Sequence, residues 1–294
     1  CKALIDAYPE SLMVQGRNSN LPIHMACMSG GCVIETIQYI SELYPDSIQI
    51  RNENGNLPIH EACGVSRYSR YYSQKISVGT VQYLLECYPN SIHARNGNGD
   101  LPFDLALKEG HSKIIDLLLT HDPDAASIRM NGKLPLHVAS GYCSVDISLV
   151  QVLFDAYPEA ITAPDADGKT PHDITWERSK RNFRYRRNPD KSPVVDFLLK
   201  QLAYAKQAQD MSAEDGWLTL SCALKDNTCS LGSIKLLVNA LRGIKSNVDS
   251  CGLLPLHTAC ELRSVKIVTF LMEEYGHDVS SCCDSNKDSI VHYA

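Results

Sequence analysis

A four-residue phrase recurs eight times along this 294-residue chain, and that recurrence restricts the fold more than any other feature. It reads Leu21-Pro22-Ile23-His24, Leu57-Pro58-Ile59-His60, Leu101-Pro102-Phe103-Asp104 and Leu134-Pro135-Leu136-His137. It continues, more degenerate, as Thr170-Pro171-His172-Asp173, Leu218-Thr219-Leu220-Ser221, Leu254-Pro255-Leu256-His257 and Ser289-Ile290-Val291-His292. The first positions are separated by 36, 44, 33, 36, 48, 36 and 35 residues. Self-similarity at that period predicts a stacked array of small units.

Each phrase sits in a wider pattern. A glycine turn precedes it, as in Asn54-Gly55-Asn56, Asn98-Gly99-Asp100, Asn131-Gly132-Lys133, Asp167-Gly168-Lys169, Asp215-Gly216-Trp217 and Cys251-Gly252-Leu253. Glycine supplies the positive φ of a tight reversal. Pro fits the first turn of a helix, where no backbone donor is needed. Two residues beyond the His position stands a small side chain: Ala26, Ala62, Ala106, Ala139, Ala223, Ala259 and Ala294. An apolar second helix is expected next, such as 81–85 or 114–119. It usually closes at Tyr8-Pro9, Tyr44-Pro45, Tyr88-Pro89 or Tyr157-Pro158, with Pro just past the helix end stopping it. The phrase resembles the Thr-Pro-Leu-His-x-Ala signature of the ankyrin-repeat family, and the likeness covers nearly the whole chain.

The resemblance implies an all-α solenoid of helix-turn-helix units with projecting β-turn fingers, one array over residues 1–294 with partial repeats at both ends. The chain starts on an outer-helix pattern, Cys1 to Pro9, and stops just after His292, so a fragment of a longer array is expected. Hydrophobic content of 44% is enough for one continuous core. No run approaches the roughly eighteen apolar residues of a membrane span. A net charge of −6 argues against a polyanion as the partner of the whole surface.

Twelve cysteines are present, and three of them, Cys27, Cys63 and Cys260, directly follow the small Ala. That register predicts buried apolar thiols. In the architecture that the resemblance implies, equivalent positions of adjacent repeats stand about 10 Å apart, too far for a disulfide. Many free thiols and no Asn-x-Ser/Thr sequence point to an intracellular location, cytoplasmic or nuclear.

The family normally opens the phrase with Thr, whose hydroxyl bonds the His, whereas six phrases here open with Leu. His24, His60, His137 and His257 are expected to bridge to the backbone of the next turn through their ring nitrogens. Asp104, Asp173 and Ser221 replace the His and reach less far, which predicts looser junctions. Two insertions, 66–78 and 176–192, fall between the inner and outer helices. Residues 176–191 carry seven basic residues against two acidic ones, with Trp176, Phe183 and Tyr185 among them. Arg178, Lys180, Arg181, Arg184, Arg186 and Arg187 would suit a nucleic acid or an acidic partner, charges meeting phosphates and rings stacking on bases. The alternative is a longer helix pair with solvated arginines.

Enzymatic signals give way to the repeat. Gly168-Lys169-Thr170 resembles the end of a phosphate loop, but Ala163 stands where its first glycine belongs. His60-Glu61 lacks the second His of a zinc helix. No catalytic residue, metal site or cofactor is expected. The predicted function is a monomeric, non-catalytic scaffold for a protein partner, with no membrane role. The competing readings are nucleic-acid or acidic-partner binding through the basic insertion, and the regulatory arm of a larger enzyme.

The resemblance implies contacts at the finger tips and on the exposed side of the inner helix. Mapped here, these are Met25, Met28 and Ser29; Asn56 and Glu61; Asp100, Leu105, Lys108 and Glu109; Lys133, Val138 and Tyr142; Trp217 and Lys225; Leu253, Thr258, Glu261 and Leu262. Trp217 replaces a polar finger residue and is the candidate aromatic anchor, the alternative being that it folds back over the irregular phrase 218–221 and patches the missing Pro and His.

Overall fold

The structure is a computed structural model that describes residues 5, 7–29, 34–65, 78–141, 147–181, 192–210, 216–226, 229–241, 259–260 and 265–275. Side chains of 209–210, 216–219, 221 and 275 lie outside that description. The insertion 66–77, residues 182–191, His257 and both chain ends also lie outside it. Among the described residues there is no strand, only one isolated bridge between Met130 and Lys133. The fold is an ankyrin-type helical array.

Inner helices start where the phrase puts proline: α1 Pro22–Met28, α3 Pro58–Cys63, α5 Pro102–Glu109, α7 Pro135–Ser140 and α9 Pro171–Arg181. The residue before each of the first four is extended, so Pro enters at the first helical position, where its missing N–H removes no bond. Outer helices follow: α2 Ile34–Leu43, α4 Val78–Cys87, α6 Ser112–His121, α8 Ile147–Ala156 and α10 Pro193–Asp210. The last helices are α11 Gly216–Lys225, α12 Leu231–Ala240 and α13 Val265–Tyr275.

Two features of this layout differ from the sequence reading. The Tyr-Pro step does more than end a helix. Pro opens a 3-10 turn in all four cases, at Pro9–Met13, Pro45–Gln49, Pro89–His93 and Pro158–Ile161, and Asp122-Pro123 does the same at Pro123–Ser127. The Ser47 and Ser91 hydroxyls donate at 2.6 Å to the carbonyls of Tyr44 and Tyr88, and Leu12, Ile48 and Ile92 turn inward. A second repeated phrase, Tyr-Pro-x-Ser-Ile, therefore closes the outer helix and seats an apolar anchor. The other difference is helix length. Inner helix α9 runs to Arg181, so residues 176–181 are helix, and α10 has 18 residues against 10 in α2, α4, α6 and α8.

The chain divides into two compact units, with the boundary crossing α8. The first, residues 1–128 and 144–152, holds α1 to α6. Its core is built from repeated positions: Ile23, Ile59 and Phe103 after the Pro, and Ile37, Leu84 and Ile115 from the outer helices. Ala62 and Ala106 are fully buried, where a larger side chain would hold helices apart. The second unit, residues 129–143 and 153–294, holds α7 and α9 to α13. There Leu220, Leu224, Ile234, Leu237, Val238, Ala259 and Leu271 form one buried cluster. Cys27, Cys63 and Cys260 are buried thiols, as their register requires, and burial pushes the Cys63 thiol far up.

Gln201 occupies a core position of α10, in step with Val194, Leu198 and Ala205, and is fully buried. Its Oε1 accepts from the backbone N–H and hydroxyl of Ser230 at 3.4 and 3.2 Å and from the Ser233 hydroxyl at 2.5 Å. The start of α12 is thereby satisfied by a side chain from another helix, which a buried helix end requires.

Candidate functional site

The finger roots and the open side of the inner helices are held by two side-chain systems. The first is the repeated His. In α1 and α3 the Nδ1 of His24 and His60 accepts from the backbone N–H of Leu21 and Leu57, at 3.2 and 3.1 Å. The proton then sits on Nε2, which donates to the Asn56 carbonyl at 3.2 Å and the Ala94 carbonyl at 2.9 Å, one repeat on. His137 reaches the Ala163 carbonyl at 2.9 Å in the second unit. Burial lowers the pKa of all three, and that of His60 falls to about 4. Asp104 and Asp173 bond locally, accepting the N–H of Leu101 and Thr170 at 2.9 and 3.0 Å, so those two junctions lack the long arm. Leu21, Leu57 and Leu134 bury the position where Thr is usual, whereas Thr170 keeps a hydroxyl bond to Asp173 at 2.7 Å.

The second system is a set of finger hubs that composition did not reveal. Asn52 is buried and all four of its amide valences are used. Its Oδ1 accepts from the N–H groups of Asn54 and Asn56 at 3.0 and 2.9 Å. Its Nδ2 donates to Asn20 and Glu61, both at 2.7 Å. Asn96 repeats the pattern, capturing the N–H groups of Asn98 and Asp100 and donating to Asn56 at 2.9 Å. In the second unit Asp165 does the same for Asp167 and Lys169, and those N–H groups hold its carboxyl below the usual range. Arg51, Arg95 and Arg129 brace the fingers outside. Arg51 donates to the carbonyls of Gly55 and Arg95 at 2.6 and 2.8 Å. The fingers pack backbone to backbone: a Cβ on Gly55 would stand 2.6 Å from the Gly97 nitrogen.

These bonds reassign several expected contact residues. Glu61 accepts from both Asn52 and Asn56, so its carboxylate organises the finger. Met28 receives the Asn20 amide at 3.8 Å. Lys108 pairs with Asp100 at 2.6 Å, and Lys133 lies 3.8 Å from Asp165. Lys169 and Glu177 form the same clasp with charges reversed, at 2.8 Å. Met25 is half exposed, Val138 and Leu105 are partly open, and Lys225 is exposed at the end of α11. The helix α11 begins at Gly216, so the backbone of Trp217 lies in its first turn and not in a finger. Tyr142, Leu253, Thr258, Glu261, Leu262, Arg184, Arg186 and Arg187 lie outside the described residues. Of the basic segment, Arg178 is half-buried, and Lys180 lies 5.2 Å over the Trp176 ring, which stacks on His172 at 6.1 Å.

Asn52 offers a direct test of the hub. Asn52→Ala removes the acceptor for two finger N–H groups and is expected to lower stability by about 1–2 kcal/mol. Asn52→Asp keeps that acceptor but turns a carboxylate oxygen toward Glu61. It should be destabilising at neutral pH and recover as the medium is acidified through the carboxylate range. Urea unfolding of the two variants at both pH values reads this. An Asn52→Ala midpoint equal to the parent's would show that the finger stands without its hub.

Among the described residues no helix is long and apolar enough to cross a membrane, and no group of three or more His, Cys, Asp or Glu is arranged to hold a metal ion. No curated protein matches the chain. Residues 187–283 match the family model for ankyrin repeats, in three copies. Together with the Pro-led helix pairs, fingers and His bridges upstream of that span, the match supports an ankyrin-repeat protein.

Proposed function

We propose that the chain is a non-catalytic scaffold that binds a polypeptide partner through its finger roots and the open side of its inner helices. Ankyrin repeats are in general protein-interaction modules. The observation that carries the reading is what the inner helices leave uncovered. In α3 and α7 only the residue after the His stays open, and in α5 the residue after Asp104 opens between buried neighbours, with Lys108 and Glu109 open at the helix end. That position holds Met25, Glu61 and Leu105 in the first unit and Val138 and Ile174 in the second. The open position is apolar at Met25 and Leu105 in the first unit and at Val138 and Ile174 in the second, and each unit also carries paired charges of both signs, which suits a polypeptide better than a polyanion. Lys108 would flank the open residues of the first unit, and Lys133 and Lys225 those of the second, and Tyr142, Trp217, Leu253 and Glu261 remain proposed contacts. Exposed thiols at Cys87 and Cys222 fit a reducing compartment. The basic segment is the weaker site, because the Trp176 face already carries the chain's own Lys180.

A photo-reactive side chain at Met25 or Val138 should crosslink a polypeptide in cell extract, while the same group at Gln82 on outer helix α4 should not. Equal labelling from all three would sink the reading. Steeply salt-dependent binding of single-stranded RNA, abolished by Arg178→Ala, Lys180→Ala and Arg181→Ala together, would transfer the function to the basic segment.

A further inference from the structure

We infer that Asn131 is a site of spontaneous backbone rearrangement, converting to aspartate and isoaspartate in the folded protein far faster than the other Asn-Gly pairs. Four such pairs stand in the described fingers: Asn54-Gly55, Asn96-Gly97, Asn98-Gly99 and Asn131-Gly132. In the second of these the Asn96 amide is itself the hub, and the Gly97 N–H donates to the Asn54 carbonyl at 2.9 Å. The other three asparagines stand exposed at the finger tips. The reaction needs the glycine backbone nitrogen to reach the Asn side-chain carbonyl carbon. The Gly132 nitrogen attacks Cγ of Asn131, the N–Cγ bond forms and the Cγ–Nδ2 bond breaks. Ammonia leaves carrying the amide proton, and a succinimide ring remains. Water then opens one ring carbonyl or the other, giving aspartate or isoaspartate with no change of oxidation state.

The three fingers differ in how firmly they hold that nitrogen. At the first, the Gly55 N–H donates to the Asn52 carbonyl at 2.9 Å. The Asn54 N–H donates to Asn52 Oδ1 at 3.0 Å, and the Asn54 carbonyl accepts from Gly97 at 2.9 Å. At the second, Gly99 donates to the Asn96 carbonyl at 3.0 Å and Asn98 to Asn96 Oδ1 at 3.0 Å. Attack there requires breaking bonds of the reacting pair itself. The third finger has no hub, because Met130 directly precedes Asn131 where the others place Asn and a spacer. It closes as a two-residue hairpin through Met130 and Lys133, whose mutual bonds are 2.8 and 3.0 Å. The Gly132 N–H donates to no acceptor among the described residues. Both central residues have positive φ, 50° at Asn131 and 77° at Gly132, as such a turn demands. The pair can swing while the hairpin bonds stay closed; the bond from Arg129 to the Gly132 carbonyl, 2.8 Å, must yield, and Gly132 must slide past the Ala166 methyl, but no bond of the attacking nitrogen has to break. An isoaspartyl link adds a methylene to this backbone and a carboxylate beside Lys133 and Arg129.

The test ages the whole chain at mildly alkaline pH and maps its peptides by mass spectrometry, folded and in concentrated urea. In the folded protein, deamidation at Asn131 should exceed that at Asn54 and Asn98 at least tenfold. In urea the three rates should converge, because the reacting dipeptide is the same. Asn131→Ser should abolish the acidic species that the folded protein accumulates. Equal rates at the three sites when folded, or protection of Asn131 relative to the unfolded chain as strong as that of Asn54, would overturn the inference.

Discussion

Gly232→Ala is expected to destabilise the second unit by about 2–3 kcal/mol, against the roughly 1 kcal/mol that alanine ordinarily gains over glycine inside a helix. Gly232 is the second residue of α12. A Cβ there would stand 2.7 and 2.8 Å from Cε1 and Cδ1 of Phe154 and 2.8 Å from its carbonyl oxygen. The ring has nowhere to retreat. It is fully buried and packs edge-on against Phe197, with centroids 6.2 Å apart and planes at 85°. The approach is pinned by polar bonds as well. The Gly232 N–H donates to Asp155 Oδ1 at 2.7 Å, and Lys235 Nζ donates to the Asp155 carbonyl at 2.7 Å. Burial pushes the Asp155 carboxyl up while the Gly232 N–H and Lys235 oppose it, so moving α12 outward would also weaken the carboxylate's partners. Chemical denaturation of Gly232→Ala beside the parent reads the loss. Phe154→Leu in the same background should restore part of it, because the ring contact disappears and the backbone contact remains. A Gly232→Ala protein as stable as the parent would mean that α12 does not rest on Phe154 this closely.

The helix starts, the buried thiols and the His bridges were legible because each follows from one residue type at a fixed register. Pro at the first helical position, His three residues into the unit and Ala two beyond leave little choice of geometry. The start of α11 was not legible, since residues 218–221 carry neither Pro nor His. Nothing in the phrase marks where that helix begins, and it begins at Gly216. Asn52 and Asn96 read as ordinary turn formers, and only the structure shows their amides captured on both sides. The regular recurrence of Arg51, Arg95 and Arg129 was a usable signal for the finger braces, since a charged residue kept in register across repeats has a repeated partner. Gln201 had a signal too, a polar residue in step with Val194 and Leu198. At Glu61 the sequence shows a charge at an open position but not the two amides that its carboxylate holds.

Acidification from pH 6.5 toward 4 should cost the first unit about 3 kcal/mol through His60 alone. The geometry fixes the sign. Nδ1 of His60 accepts from Leu57 N–H, so a proton added there would face another proton. The ring is fully buried, and desolvation lowers its pKa to about 4 against an ordinary 6.5. Above 6.5 both folded and unfolded chains hold the ring neutral, and the full stability is present. Between 6.5 and 4 the unfolded chain takes up the proton and the folded chain does not, so stability falls with pH. Below 4 both are protonated and the contribution is gone. His24 is lowered in the same direction and steepens the same window, and His137 gives the second unit a dependence of the same sign. Asp104, whose carboxyl burial raises, works the other way at lower pH, so the His contribution has to be isolated by difference. His60→Ala provides that difference. At neutral pH it leaves the Leu57 N–H and the Ala94 carbonyl without a partner and opens a cavity, an expected loss of about 2–4 kcal/mol. Its stability should then vary less than the parent's between pH 6.5 and 4. A His60→Ala profile parallel to the parent's across that window would show that the ring titrates freely in the folded state and that the bridge from Leu57 to Ala94 is not its resting arrangement.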